Sequence, residues 1–263
     1  MSLVIDRLQE HYKYATKDID MNNVIGITLT GSQNYGTDLP TSDVDTQLII
    51  TPTLEEVYKG NKPDSTTKMM EDSEEHIKIK DVRQFIKEIK KQNLNVIECL
   101  YTDYCIINPI YKDIWSNLIA ERDKIARINP VLAVKAIKGN ALNSLDRIYL
   151  TDGSISFKQV ANLVRYDYYL NQYIANKPFL ECMQPDEETR KYILQIRNGE
   201  LGESSLRTIA ETSGDHIRKI VDDYVDNNKD FVVNQELIDF LDETCKEFID
   251  SSFLVEYAKR GMI

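Results

Sequence analysis

The sequence contains few of the residues that usually bind transition metals. Its 263 residues include three histidines and four cysteines, and the cysteines lie far apart, without a CxxC pair. This spacing argues against a zinc site and favours a reducing compartment. No apolar run approaches the roughly 18 residues that a membrane span needs, and the mixed, charged segment 1–14 is unlike a secretory signal. We therefore expect a cytoplasmic protein.

The chain also has no excess of positive charge. It contains 32 Lys and Arg against 43 Asp and Glu, a formal net charge of −11, and both of its halves are acidic. Proteins that bind duplex nucleic acid usually carry a basic face, because neutralising phosphates supplies most of their affinity. We therefore do not expect an extended duplex or a membrane as a partner, although a local basic patch for an RNA end is compatible with this composition.

The pattern of predicted secondary structure changes along the chain. Up to about residue 108, short β-branched runs alternate with helical patterns. The predicted strands are 23–30, 43–51 and 75–80, with helices at 54–60 and 82–92, a polar loop at 61–74 and β-leaning runs within 95–109. Helical patterns then dominate, at 110–122, 130–148, 156–176, 186–198, 203–226 and 234–259. The sequence predicts an α+β protein with an α/β domain at 1–125 and a helical domain at 126–263.

The segment LTGSQNYGTDLPTSDVDTQLII, residues 29–50, contains the candidate chemistry. Gly31 follows a predicted strand and allows a sharp turn close to a ligand, and Ser32 adds a hydroxyl and an N–H suited to phosphate. Asp43 and Asp45 begin the next predicted strand, where alternation directs both side chains to one face. Two neighbouring carboxylates repel each other, and a divalent cation removes that conflict. Because Mg²⁺ is commonly bound by one or two carboxylates together with substrate phosphates, the pattern predicts a Mg²⁺–triphosphate site.

This order of residues resembles the signature of the DNA polymerase β nucleotidyltransferase superfamily. The form GSQNYGTDLPTSDVD at 31–45 is similar to one branch, the predicted nucleotidyltransferases associated with RNA repair (the RlaP/YcgL-like group) of bacteria and phages. The stretches 81–101, 157–170 and 196–201 are similar to other parts of that group. The resemblance implies a nucleotidyltransferase-type mixed sheet with flanking helices, followed by a helical domain. It also implies an NTP such as ATP as substrate, with Mg²⁺ or Mn²⁺ as cofactor.

Members of the superfamily usually have a third carboxylate on a later strand, and the resemblance places His76 at that position. Four interpretations remain open. His76 could act as the base itself, since a neutral imidazole accepts a proton near pH 7. Glu75 could take the role through a local bulge. The position could be lost, which leaves a protein that binds nucleotide but catalyses poorly. Finally, His76 could be a partly exposed strand residue that faces solvent.

The resemblance also implies that basic residues of a later helix contact the triphosphate. Lys158 and Arg165 are seven residues, or two helical turns, apart and so share a helix face. Arg165 is expected to bind more strongly, because its guanidinium is planar and always charged. The alternative is that both are solvated helix charges or members of salt bridges.

Taken together, these patterns predict an enzyme that transfers a nucleotidyl group from an NTP to the hydroxyl of an RNA end, a protein or a small molecule. The main alternative is a nucleotide-binding or regulatory protein of the same fold with little or no catalytic activity. A weaker alternative is an assembly scaffold that uses the helical half alone.

Overall fold

The structure of the chain is a computed structural model that describes residues 2–71, 73, 75–259 and 261. Five strands form one mixed sheet in the order β3-β4-β2-β1-β5. They are β1 (Val24–Thr30), β2 (Asp45–Ile50), β3 (Ser65–Met69), β4 (His76–Asp81) and β5 (Cys105–Ile107). β2 pairs antiparallel with β1 and parallel with β4, and the other two pairings are antiparallel. Every residue of β1 is buried, as expected for a strand inside a sheet that is covered on both faces.

The first helix, α1 (Ser2–Thr16), packs on one face of this sheet. Its Leu8 and Ala15 join a buried apolar cluster that includes Leu48 of β2 and Ile77 and Ile79 of β4. Helix α4 (Val82–Lys90) directly follows β4 and packs against both β4 and β2. Its buried positions recur at helical spacing, and they are Val82, Phe85, Ile86 and Ile89.

The other helices follow in chain order. They are α2 (Ser32–Tyr35), α3 (Leu54–Tyr58), α5 (Leu94–Ile97), α6 (Lys112–Ala120), α7 (Arg122–Ile125), α8 (Pro130–Asp146), α9 (Phe157–Ile174), α10 (Phe179–Met183), α11 (Glu187–Arg197), α12 (Glu203–Asn227) and α13 (Gln235–Lys259), with 3-10 turns at Met21–Asn23, Glu98–Leu100 and Pro109–Tyr111. Within the part of the chain that the structure describes, none of the helices has both the length and the apolar character for a bilayer crossing.

The chain divides into two compact units. The sheet unit comprises Met1–Gly31, Asp43–Ile128 and Asn234–Ile263, and the helical unit comprises Ser32–Ser42 and Asn129–Val233. The predicted domains 1–125 and 126–263 differ from these units in two places, because α13 belongs with the sheet and 32–42 belongs with the helices. The physical reason for the first difference is packing that a linear reading cannot reveal. Phe248 of α13 is buried with its ring 5.8 Å from that of Tyr111, and Ser252 Oγ accepts a hydrogen bond from Asn23.

The predicted α+β class is confirmed, with a mixed sheet, flanking helices and a helical C-terminal region. The six helices predicted after residue 110 are present as α6, α8, α9, α11, α12 and α13. The predicted loop at 61–74 is wrong where β3 forms, because β3 is a largely exposed, polar edge strand without apolar alternation. Asp72 and Glu74 of that loop lie outside the described residues.

The β-leaning run at 95–109 is also corrected in most of its length. It folds as α5 and a 3-10 turn, and only Cys105–Ile107 is a strand. The side chain of Asn93 accepts a hydrogen bond from Asn95 N and so caps α5. This local cap outweighs the β preference of Val96 and Ile97.

Candidate functional site

The turn after β1 places a glycine beside a carboxylate. Thr30, the last residue of β1, pairs with Asp45, the first residue of β2. Gly31 then has a φ of +87°, in the left-handed region that L-residues with side chains rarely adopt. A Cβ atom added to Gly31 would lie 3.5 Å from Asp45 Oδ2. Gly31 therefore places backbone, without a side chain, next to the Asp45 carboxylate.

The two predicted metal ligands flank a buried valine. Asp43 is exposed, Val44 is 4% exposed, and Asp45 is half-buried at the start of β2. This alternation agrees with both carboxylates lying on one face and the valine lying on the other. The backbone N–H of Val44 donates to Glu75 Oε1 over 3.0 Å. A contact with Glu75 therefore fixes the peptide between the two aspartates.

His76 lies on the same sheet face as Asp45. In the parallel pair of β2 and β4, Thr46 is opposite Ile77, and Leu48 is opposite Ile79. Leu48, Ile77 and Ile79 all belong to the cluster beneath α1, so these positions face α1. Asp45 and His76 precede Thr46 and Ile77 by one residue each, and they therefore face the opposite side. Lys78, two residues after His76, is exposed on that same side.

Glu75 lies in a different environment from the adjacent His76. It is 7% exposed, and its Oε2 atom accepts hydrogen bonds from Arg7 Nε at 3.0 Å and Ser73 Oγ at 3.2 Å. Arg7 Nη2 makes a second contact to the same oxygen, and His11 Nε2 lies 3.2 Å from it. The pairings of β4 run from His76 to Asp81 without a register shift. Glu75 is thus bound by residues of α1, the helix on the sheet face opposite His76.

These contacts also set the ionisation of Glu75. Burial works to raise the pKa of its carboxyl, but the hydrogen bonds from Arg7, Val44 and His11 and the charge of Arg7 outweigh it. The pKa of Glu75 therefore lies below its ordinary value, and the group is a carboxylate at neutral pH. Its charge is compensated within the fold, which is the usual condition for a buried carboxylate.

Two residues of this environment were not identified from the sequence. Arg7 and His11 lie four residues apart on α1, and His11 is fully buried with its Nδ1 3.0 Å from Thr46 Oγ1. A proton on Nε2 allows His11 to donate to Glu75, while Nδ1 lies within hydrogen-bond distance of the Thr46 hydroxyl. The i, i+4 spacing of an arginine and a histidine on one helix was the available signal. It indicates a shared face but names no partner.

The segment 32–42 is anchored within the helical unit. Arg165 is 8% exposed, and its guanidinium lies 4.1 Å from the ring centroid of Tyr35 and 4.4 Å from that of Tyr166. Gln184 donates to the backbone oxygen of Asn34 over 3.1 Å. Arg165 thus contacts the segment that follows Gly31, although through an aromatic ring. Lys158, its predicted companion, is exposed in the first turn of α9.

Arg197 is a second anchor of this segment. It ends α11 and donates to the backbone oxygen of Thr37 and, over 3.2 Å, to Ser42 Oγ. Burial lowers the pKa of Arg197, but a guanidinium remains charged at any ordinary pH. The stretch 196–201 was predicted to matter only through its resemblance, and no spacing rule connects Arg197 to residues about 160 positions earlier.

The donor set fits Mg²⁺ when phosphate oxygens complete it. Asp43 and Asp45 offer hard carboxylate oxygens, which Mg²⁺ prefers, and it usually keeps further sites for water and phosphate. Among the residues described, no group of three or more His, Cys, Asp and Glu side chains could bind a metal alone. Gln47 faces the same side as Asp45, and its buried Nε2 has no hydrogen-bond partner in the described chain. A buried donor of this kind is typical of a site that binds a ligand or ordered solvent.

Comparisons with known proteins give little for this chain. No protein-family model and no curated protein matches it. One similar solved structure is a nucleotidyltransferase-like protein from Exiguobacterium sibiricum, with 10% sequence identity. The similarity covers 86% of this chain and 77% of that one, with a TM-score of 0.33. A TM-score this low supports no inference about activity, and the functional assignment depends on the chain's own residues.

Proposed function

We propose that the chain is a Mg²⁺-dependent nucleotidyltransferase, which transfers a nucleotidyl group from an NTP to an acceptor hydroxyl. The observation that carries the proposal is the left-handed Gly31 beside the half-buried Asp45, where a Cβ would come within 3.5 Å of the carboxylate. A carboxylate at the start of a central strand, next to a position without a side chain, suits a cation that arrives with a polyphosphate. Asp43 adds the second carboxylate two residues earlier.

The reaction needs a metal, a phosphate site and a base. Asp43 and Asp45 would hold the Mg²⁺, which would supply neutralisation of the phosphate charge. Gly31 and Ser32 supply donors for the β- and γ-phosphates. The acceptor oxygen attacks the α-phosphorus, a new P–O bond forms, and the bond to the β-phosphate oxygen breaks as pyrophosphate leaves. His76, on the Asp45 face of β4, accepts the proton of the acceptor hydroxyl in this scheme.

The basic residues have unequal roles in this proposal. Lys158 is exposed in the first turn of α9, and its contact with the triphosphate stays a prediction from the resemblance. Arg165 is buried against Tyr35, and we assign it the role of shaping the segment 32–42. Lys78 extends the Asp45 face of β4 with an exposed positive charge, which suits the phosphate of an RNA-end acceptor. The acidic character of the chain still disfavours a long duplex as acceptor.

The deciding experiment removes the two carboxylates. The double variant Asp43→Asn and Asp45→Asn is incubated with labelled NTPs, Mg²⁺ or Mn²⁺, and candidate RNA ends or proteins, and pyrophosphate release and label transfer are measured. We expect both to disappear. The matched control, Glu187→Gln with Glu188→Gln, changes two exposed acids of α11 and should keep wild-type transfer. Equal transfer by the Asp43/Asp45 double variant and this control would remove the proposed metal site.

A second candidate function is nucleotide binding without efficient transfer. It is favoured by His76 at the position where the resembled superfamily has a third acid, and by the lack of a three-acid group among the described residues. Under this alternative the wild type binds NTP and Mg²⁺ but releases no pyrophosphate. The variant His76→Asp separates the two candidates, because it supplies the third carboxylate. More nucleotidyl transfer by His76→Asp than by the wild type favours this second candidate. Less transfer favours His76 as the base.

A further inference from the structure

A buried charge network lies on the face of β2 opposite the proposed metal site. Its centre is the carboxylate of Glu75, and its other charged member is Arg7 of α1. His11, also of α1, lies 3.2 Å from the same carboxylate oxygen. Removing a carboxylate from water costs several kcal/mol unless partners restore its interactions. Here Arg7, Ser73 and His11 cluster at Oε2, which leaves Oε1 for one further donor.

That further donor lies between the two proposed metal ligands. Glu75 Oε1 accepts the Val44 N–H over 3.0 Å, and Val44 separates Asp43 from Asp45. On the other side of Asp45, the hydroxyl of Thr46 lies 3.0 Å from His11 Nδ1. The network therefore contacts the residues immediately before and after Asp45, through groups that do not themselves face the proposed ligand. This placement restricts the backbone on both sides of the Asp45 carboxylate.

We propose that Glu75 is a positioning residue, which Arg7 and His11 hold in place so that it fixes the Val44 peptide and the spacing of the Asp43 and Asp45 carboxylates. This inference rests on the proposed function, because it assigns the two aspartates to a cation. It also assigns a part in the site to α1, which packs on the opposite face of the sheet from Asp45. Groups that orient metal ligands from outside the coordination sphere commonly change metal affinity by about 10- to 100-fold when they are removed.

The chain contains a matched control for this network. Glu88 of α4 is also a shielded carboxylate paired with a cation, with its Oε2 2.7 Å from Lys80 Nζ. The side chains of Glu75 and Glu88 are 10% and 16% exposed, so their loss disturbs similarly shielded charges. Glu88 additionally accepts from Asn93 and Gln84, and the hydrogen bonds found for it among the described residues do not involve the 43–46 stretch. A role that is only structural predicts similar consequences for Glu75→Gln and Glu88→Gln.

The test compares Mn²⁺ binding by the full-length wild type, Glu75→Gln and Glu88→Gln, with electron paramagnetic resonance at matched fractions of folded protein. We expect Glu75→Gln to weaken Mn²⁺ binding by about 10-fold or more, and Glu88→Gln to change it less than about 2-fold. Nucleotide affinity without metal should be unchanged in both. Equal weakening by the two variants, or none, overturns the positioning role.

A second measurement does not depend on metal binding. Hydrogen exchange at the Val44 amide, followed by NMR, should accelerate about 10-fold or more in Glu75→Gln, since a lost charge-assisted hydrogen bond changes the local opening equilibrium by that order. The Leu48 amide in the middle of β2 should remain protected. If the wild type binds no Mn²⁺ and Val44 still responds selectively, the metal site fails while the anchoring of Val44 stands. An unchanged Val44 amide overturns the anchoring itself.

A milder variant tests the same arrangement in case Glu75→Gln does not fold. If Glu75→Gln does not fold, Thr46→Val removes only the hydroxyl that faces His11 and keeps a β-branched side chain in the strand. It should weaken Mn²⁺ binding by a few fold, in the same direction, and Arg7→Lys should bind at nearly the wild-type level because it keeps a cation beside Glu75. Wild-type Mn²⁺ affinity in Thr46→Val with weakened affinity in Arg7→Lys would contradict the proposed arrangement.

Discussion

The two stretches of chain between Gly31 and β2 are held by buried charges of different kinds. In the sheet unit, Glu75 binds the Val44 peptide and is itself bound by Arg7 and His11. In the helical unit, Arg165 lies against the rings of Tyr35 and Tyr166. The first anchor is a compensated carboxylate that acts through hydrogen bonds. The second is a guanidinium that acts through the faces of aromatic rings.

This difference follows from the chemistry of the two groups. A carboxylate only accepts hydrogen bonds, so it can fix a backbone N–H, but it needs several donors to replace water. A guanidinium is planar and weakly hydrated, and it can be buried against an aromatic face at a smaller cost. The sheet-unit anchor should therefore be the more costly one to break and the more directional. The following predictions test this ranking.

The largest expected effect comes from breaking the ion pair. Arg7→Met leaves Glu75 as a buried carboxylate without its cation, and we expect a loss of about 3 kcal/mol in the free energy of unfolding, measured with urea. Arg7→Lys is the control and should recover most of that loss. If Arg7→Met unfolds at the wild-type urea concentration, the carboxylate is not shielded as described.

The stacked arginine should matter less. Arg165→Lys keeps the charge but loses the planar face against Tyr35, so we expect a loss of about 1–2 kcal/mol in the free energy of unfolding. The exposed Arg218, which pairs with Asp215, supplies the control, and Arg218→Lys should change stability by less than about 0.5 kcal/mol. A larger loss for Arg165→Lys than for Arg7→Met would reverse the ranking of the two anchors.

Gly31 belongs to neither anchor, so a substitution there tests the proposed metal site separately from the two anchors. Gly31→Ala adds a Cβ at a φ of +87° and should cost about 1 kcal/mol of stability through backbone strain. It should reduce Mn²⁺ affinity more than either anchor variant of similar stability, because the Cβ would face Asp45 Oδ2. The control is Gly139→Ala in α8, where nothing lies within 4 Å of an added Cβ, and there alanine should stabilise the helix. Equal Mn²⁺ binding by these two variants would contradict a ligand next to Gly31.

The smallest effect is the pH dependence of the sheet-unit anchor. The pKa of Glu75 is lowered in the folded protein, so between that value and the ordinary Glu pKa near 4.3 the unfolded chain binds more protons. Stability from Glu75 is thus fully present above the ordinary pKa and is lost as pH falls through the folded pKa. Urea unfolding of Glu75→Gln between about pH 5 and 3 should show a weaker decline than the wild type. If the free energy of unfolding declines equally with pH in both proteins, the pKa of Glu75 is not lowered by folding.

The candidate-site residues that depend on local spacing could be proposed from the sequence. Gly31 and Asp45 were proposed because a turn residue after a strand and two alternating acids are visible over fifteen residues. The choice between Glu75 and His76 was not accessible, since a shift of one residue exchanges the sheet faces and only the pairing with β2 fixes the face. The partners of Glu75 are also remote, because Arg7 and His11 precede it by 68 and 64 positions.

The prediction of the fold was limited in the same way, because only local patterns are visible in the sequence. Long helices such as α9 and α13 repeat their apolar positions often enough to be recognised, and they were predicted within a few residues. The short edge strand β3 carries no such signal, because four of its five residues are exposed. The assignment of α13 to the sheet unit depends on side chains such as Phe248, whose buried partner Tyr111 lies more than a hundred residues earlier.

The place of α13 in the sheet unit has a consequence for biosynthesis. Asn23 precedes β1 and hydrogen-bonds Ser252, which is 229 positions later in the chain. The first strands therefore leave the ribosome long before α13, which packs against α4 and the turn before β1, has been translated. Until α13 has emerged, the surface that it covers is exposed to chaperones and to other nascent chains. The sheet unit can consequently complete its packing only after α13 has been synthesised.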